Sequence, residues 1–265
     1  MSTELANDKI RNAVRETYAK IANSSEGSCS SSNICCPGGD AKATSKELGY
    51  SDADVDDVPD GANMGLGCGN PRAIASLRPG ETVLDLGSGG GFDAFLAAKE
   101  IGDMGKVIGV DMTPDMVSKA RENAVTAGRA NVEFRLGEIE NLPVADDAVD
   151  VIISNCVINL SPDKAQVFRE AYRVLKPGGR LAVSDIVASA DLPEQLKNDM
   201  ALFTGCMAGA SLITDVESML EDAGFERIEV KPKAGSREFI RKWTPGTKIE
   251  DYVVSAYIEA VKPTP

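Results

Sequence analysis

The chain has 265 residues, enough for one large domain or one domain with an extension. Its formal net charge of −13 argues against nucleic acid and anionic membrane surfaces as partners, and no apolar run reaches the roughly 18 residues of a membrane span. There is no histidine, which excludes a histidine base or ligand, but there are six cysteines. With no signal-peptide core near Met1 the sequence reads as cytoplasmic, where cysteines act as free thiols, soft-ion ligands or redox partners.

Asp8 to Ile21 is predicted to form an amphipathic helix with Ile10, Val14, Thr17, Tyr18 and Ile21 on one face. Ser24 to Gly39 is a serine- and glycine-rich loop carrying Cys29, Cys35 and Cys36. Adjacent Cys35 and Cys36 cannot readily bond each other, but both could face a soft ligand, or one could pair with Cys29. Ala43 to Asp60 reads as a short helix and a solvated acidic loop. Gly65, Gly67 and Gly69 then bracket Cys68, a pattern that presents a thiol rather than packing one, and Asn70-Pro71 opens a helix.

Val83 to Leu86 is predicted as a buried strand that ends in Gly87, Gly89, Gly90 and Gly91 and feeds a helix from Ala94 to Ile101. Such a turn brings backbone N–H groups close to a ligand. A second strand, Lys106 to Val110, ends in Asp111, roughly 20 residues on, where a ribose-binding acid belongs. The third glycine of a dinucleotide fingerprint falls one residue early, at Gly91, which favours S-adenosyl-L-methionine over NAD. Asp85 would then face the cofactor's ammonium and Asp111 its ribose hydroxyls, with Ser88 and Met112 beside them. Past a third strand, Asn131 to Leu136, Glu138 is positioned to accept from an adenine amino group, with Glu140 its competitor and Ile139 packing on the ring.

A fourth strand, Asp150 to Ser154, delivers Asn155 and Cys156 to the edge of the sheet where doubly wound folds bind ligands. Lys176 to Gly179 turns sharply into a fifth strand, Arg180 to Val187. A helix leaving that strand carries Cys206 beside Gly205. Strands Phe225 to Lys231 and Tyr252 to Val261 close the chain, with a short basic insertion between them. The alternation predicts an α/β Rossmann-like fold: a mostly parallel seven-stranded sheet with an antiparallel last strand, helices on both faces, and an N-terminal helical and loop extension. The expected divisions are an extension over 1–72, a cofactor-binding core over 73–190, and a part over 191–265 that completes the sheet and the substrate side.

The glycine turn from Asp85 to Gly91, Asp111 and the Leu-Lys-Pro-Gly-Gly turn resemble class I S-adenosylmethionine methyltransferases. Gly65-Leu-Gly-Cys-Gly69, Ser154-Asn-Cys-Val-Ile-Asn-Leu160 and Gly205-Cys206 resemble the arsenite methyltransferases among them. The resemblance implies that Cys68, Cys156 and Cys206 bind trivalent arsenic, and that an N-terminal cysteine, Cys35 or Cys36, acts in a redox step. It also implies reduction through a protein disulfide that thioredoxin or glutathione reopens. The sequence holds no cysteine after Cys206, so C-terminal thiols are expected to have no part. Arsenic(III) is soft and suits thiolate ligation, and its lone pair needs no general base to accept a methyl group. Ligation by thiolates would release protons and weaken in acid. Two alternatives stay open: a class I methyltransferase for a small organic acceptor such as a quinone, and a metalloid-binding protein without catalysis.

Overall fold

The computed structural model describes residues 3–24, 40–233 and 235–265, so Cys29, Cys35 and Cys36 lie outside the described residues. The helices are α1 (Thr3–Asn23), α2 (Ala41–Glu47), α3 (Asp52–Asp56), α4 (Arg72–Ala75), α5 (Phe92–Ile101), α6 (Pro114–Thr126), α7 (Lys164–Val174), α8 (Glu194–Lys197), α9 (Met200–Thr204), α10 (Ile213–Ala223) and α11 (Ser236–Trp243). The strands are β1 (Thr82–Leu86), β2 (Lys106–Asp111), β3 (Val132–Leu136), β4 (Val149–Asn155), β5 (Leu175–Ala188), β6 (Glu226–Pro232) and β7 (Val253–Val261), and single 3-10 turns cover Ile158–Leu160 and Ile249–Asp251.

The strands form one sheet in the order β3-β2-β1-β4-β5-β7-β6. Pairings among β1 to β5 are parallel, and β7 runs antiparallel to both β5 and β6. The chain reverses at β1, moving outward through β2 and β3 and then back to β4, so the ligand crevice opens at the carboxyl ends of β1 and β4. Both faces are buried, as the period-2 alternation of a strand dictates. Leu84, Leu86, Ile152 and Val183 pack with Phe168 of α7 and Leu220 of α10. Their neighbours Val83, Val151 and Ile153 pack on the other face against Phe95 and Ala98 of α5 and Val117 of α6.

Three segments depart from expectation. The acidic stretch from Ala43 begins in the expected short helix, α2, but a second helix, α3, follows where a loop was expected, and Leu48, Tyr50 and Val55 are buried. Asp40 caps α2 through the Lys42 N–H, and Ser51 and Asp54 form a capping box on α3. The helix expected after β5 breaks into α8 and α9, because Asp199 starts a new turn by accepting from the Ala201 and Leu202 N–H groups, and Gly205 ends it before Cys206. Helix α1 extends to both sides of its predicted span. It lies across the ligand end of the sheet, with Ile21 and Ala22 on Met116 and Val14 on Leu160 and Cys206.

Candidate active site

The glycine turn is shaped by close approach. A Cβ at Gly87 would fall 2.4 Å from Val157 Cγ2, and at Gly91 2.7 Å from Phe95, and both residues have positive φ. Only glycine lets the turn seat against the segment that carries Cys156. Asp111 fixes the turn: Oδ2 accepts from the Gly89 N–H at 3.0 Å and Oδ1 from the Thr113 N–H at 2.8 Å. Asp85 is buried, and its Oδ2, like Ser88 Oγ, has no hydrogen-bond partner among the described residues. Both residues line a cavity together with Met64, Gly89, Phe92 and Asn155. A buried acceptor without a donor is costly unless a ligand supplies one, so these residues fit a cationic, hydrogen-bonding group such as the ammonium of S-adenosylmethionine.

Beside it lies a larger cleft of ≈ 810 Å³, counting the space at its mouth, bordered by Gly87, Asp111, Met112 and Ile139 on one side and Cys156 and Cys206 on the other. Helix α1 contributes Arg11, Val14 and Tyr18 to its wall. Arg15 ion-pairs with Glu138, and Arg11 Nε lies 3.4 Å from the same carboxylate. Glu140, which lines the cleft, accepts from Ser161 Oγ at 2.7 Å and stands 3.5 Å from Arg11 Nη2. Thus the sequence's first choice for an adenine acceptor is already held by two arginines, a pairing distant in sequence with no local signal.

The cysteines converge. One ligand atom each from Cys68, Cys156 and Asp185 lies within 4.8 Å of the others. Cys206 Sγ donates to the Cys156 carbonyl at 2.7 Å, and Cys68 Sγ meets the Ser184 carbonyl at 3.4 Å. Cys68 is fully buried rather than presented on a loop. A Cβ at Gly67 would come within 2.8 Å of the Asn155 amide and one at Gly69 within 2.2 Å of Ser184 Oγ, so the flanking glycines let this thiol sink into the fold. Asn155 clamps the loop: Oδ1 accepts from the Cys68 N–H at 3.0 Å, and Nδ2 donates to the Gly69 carbonyl at 2.8 Å. The same Nδ2 reaches Asp93 at 3.1 Å and Tyr50 Oη at 3.0 Å, while Tyr50 donates to Asp93 at 2.6 Å. Cys156 and Cys206 take left-handed φ of 58° and 62°. For non-glycine residues this costs on the order of 1 kcal/mol each, the kind of strain that gathers at functional sites.

Burial pushes the Cys68 thiol above its ordinary range, and Asp185 and Cys206 add to the effect. Cys156 is pushed well above its range, first by its hydrogen bonds with Cys206 and Cys68 and then by burial. These thiols therefore hold their protons at neutral pH. Asp185 was not identified from the sequence. It is buried, and burial followed by repulsion from Cys206 raises it to about 8. Nothing in the local pattern of β5 marks this acid, whose neighbours come from β4 and the segment after it.

Burial likewise raises Asp85, Asp93 and Asp111. Unfolded, these acids lose their protons near pH 4; folded, they keep them to higher pH. A group raised in the folded state contributes stability that is present below its unfolded value and lost as pH climbs through its folded value. Glu133, lowered to about 2 by Arg135 and then Lys106, and Glu170, lowered by Arg173, work in the opposite sense, with stability lost only as pH falls below about 4. The ligand-free protein should melt highest near pH 5, and on the order of 5 °C lower by pH 8. Scanning calorimetry across that range checks it; a flat or rising melting temperature would show that the carboxyls ionise without cost.

The described residues include no helix long and apolar enough to cross a membrane. A family model described as a methyltransferase domain matches residues 77–224. The chain is 53% identical over 263 residues to an arsenite methyltransferase of Halobacterium salinarum, covering 97% of this chain and 67% of that protein. It is 40% identical over 224 residues to an arsenite methyltransferase of Aquipseudomonas alcaligenes, covering 82% of this chain and 62% of the relative. Among solved structures, an arsenic(III) S-adenosylmethionine methyltransferase from Chlamydomonas reinhardtii superposes with a TM-score of 0.63 at 33% identity, covering 85% of this chain and 74% of that one. The chain thus spans about two thirds of the length of these two curated relatives.

Proposed function

We propose that this chain, which belongs to the arsenite methyltransferase family, binds trivalent arsenic through Cys68, Cys156 and Cys206 and methylates it. The observation that carries the reading is that one cleft is lined both by the cofactor turn, with Gly87 and Asp111, and by Cys156 and Cys206. S-adenosyl-L-methionine supplies an activated methyl group on a sulfonium, which the lone pair of trivalent arsenic can accept. Asp85 would hold its ammonium, Asp111 its ribose, and Ile139 its adenine, with Glu138 and Glu140 behind the ring, while Gly87, Ser88, Gly89, Gly91, Met112 and Asn155 frame it.

The chain's own contribution is positioning. Once one thiol holds arsenic, the other ligations are intramolecular, at effective concentrations of mM order or more. Fixing the arsenic against the methyl can supply roughly 7–11 kcal/mol of the barrier. Arsenous acid condensing with neutral thiols forms one As–S bond and releases one water for each, with no net proton, and Cys68 and Cys156, both raised, enter the step in that form.

Methyl transfer leaves arsenic formally pentavalent, and two electrons return it to the trivalent state. In this proposal two thiols supply them by closing a disulfide, drawn from Cys68 and Cys35 or Cys36, and thioredoxin or glutathione reopens it. The test is incubation with arsenite, a thiol and methyl-labelled cofactor, followed by arsenic speciation. Labelled methylarsenicals are expected; label on none of the arsenic would overturn the assignment.

A further inference from the structure

The geometry points to Asn159 as the residue that positions the third arsenic ligand, an inference that rests on the three-cysteine reading above. Asn155 and Asn159 flank Cys156 one residue before and three after. Asn155 grips the backbone of the Cys68 loop, as described. Asn159 grips the backbone of the other loop: its Nδ2 donates to the Cys206 carbonyl at 3.1 Å, as well as to the Ile186 carbonyl at 2.6 Å and Asp185 Oδ1 at 3.0 Å. One short turn thus carries the central cysteine and a side-chain arm to each of the other two.

The arm is itself held. Asn159 is 4% exposed, and Asp185 anchors the whole 3-10 turn by also accepting from the Ile158 N–H at 3.0 Å. The Cys206 loop is seated against it so closely that a Cβ at Gly209 would fall 2.2 Å from the Asn159 carbonyl oxygen. Lys164 closes the far side by donating to the Gly209 carbonyl at 2.6 Å. Cys206 has left-handed φ, a conformation that a non-glycine residue keeps only when its surroundings over-determine it, and the Asn159 bond falls on that residue's own carbonyl. In this state the Cys206 thiol is engaged with the Cys156 carbonyl. Arsenic binding exchanges that bond for an As–S bond, while the Asn159 bond to the backbone stays and keeps the sulfur within reach of the arsenic.

The test compares wild type with Asn159→Ser, Cys206→Ser and the double variant, with Asn159→Ala, which leaves room for water at the freed acceptors, as a second form should serine melt before assay. Arsenite, which takes three thiols, and phenylarsine oxide, which takes two, are the probes. X-ray absorption at the arsenic edge counts sulfur neighbours. Asn159→Ser should weaken arsenite by about 10-fold and drop its sulfur count from three to two, and should change phenylarsine oxide no more than Cys206→Ser does. Added to Cys206→Ser it should cost no more than about twofold on either probe, since both changes remove the same ligation. Three sulfurs at unchanged affinity in Asn159→Ser would overturn the inference, as would weakening of either probe beyond that in Cys206→Ser, the mark of a general structural role. If wild type itself fails to hold arsenite through three sulfurs, the three-cysteine reading falls and this inference falls with it.

Discussion

Cys156→Ser is expected to lower methyl transfer to arsenite by at least about 10³-fold, the largest effect of any single cysteine. The Cys156 sulfur lies within 4.8 Å of that of Cys68, the Cys156 carbonyl accepts from Cys206 Sγ, and the residue borders the cleft shared with the glycine turn. A serine oxygen is a hard donor and a poor ligand for soft arsenic. Without the Cys156 sulfur the proposed site is left with Cys68 and Cys206 alone, and the arsenic loses its fixed station against the methyl. The protein should stay folded, because Cys156 is only half-buried and its backbone N–H bond to Ser184 is untouched. Cofactor affinity should also be nearly unchanged, since Val157, not the Cys156 sulfur, packs on Gly87. Single-turnover methylation, cofactor calorimetry and arsenic-edge absorption together separate these parts. An acceptor such as a quinone would make no use of the sulfur, so its methylation would change by less than about 10-fold. Retention of arsenite methylation at that level in Cys156→Ser would remove the arsenic reading and leave the alkyl-transfer fold with another acceptor.

What the sequence made legible was whatever depends on local pattern. The strands were visible because Val83, Leu84 and Leu86 or Ile152 and Ile153 have no polar alternative to burial, and the turn because Gly87 and Gly91 need positive φ. Cys156 could be placed by topology alone, at the end of β4. The illegible parts depend on contacts distant in sequence. Cys68 sits between glycines, which suggested exposure; the glycines instead admit Asn155 and Ser184 from other strands. Asp185 is one acid within a buried strand, and its meaning comes from Ile158 and Asn159 across the sheet edge. Glu138 looked available because its arginine partners are on α1, more than a hundred residues earlier. Tyr50 and Asp93, which join the Asn155 clamp to the cofactor side, lie in a stretch read as solvated and in the first turn of a helix.

Asp85→Asn should move cofactor affinity and stability in opposite directions. In the ligand-free protein burial, and then repulsion from Asp93 and Asp111, raises Asp85 well above the ordinary carboxylate range. Asp93 is raised too, but Tyr50 and Asn155 donate to it, so Asp85 is the better keeper of the proton. A cation arriving at Asp85 favours the carboxylate, so binding S-adenosylmethionine there expels a proton, and affinity should rise with pH until Asp85 ionises in the free protein. Asparagine has the same shape, cannot ionise and carries no charge for an ammonium. Affinity should fall about 10²-fold at pH 8, as losing one partner of a buried charge pair does, and its pH dependence should flatten. The ligand-free variant should melt higher than wild type at pH 8, because the carboxylate no longer has to be buried. A site built for a ligand is expected to weaken the protein that lacks it, and neutralising the site should show both effects at once. Calorimetry in two buffers of different ionisation enthalpy measures the proton release, and a thermal scan measures the stability. Unchanged affinity, or affinity and melting temperature falling together, would mean that Asp85 serves the fold and does not face the cofactor.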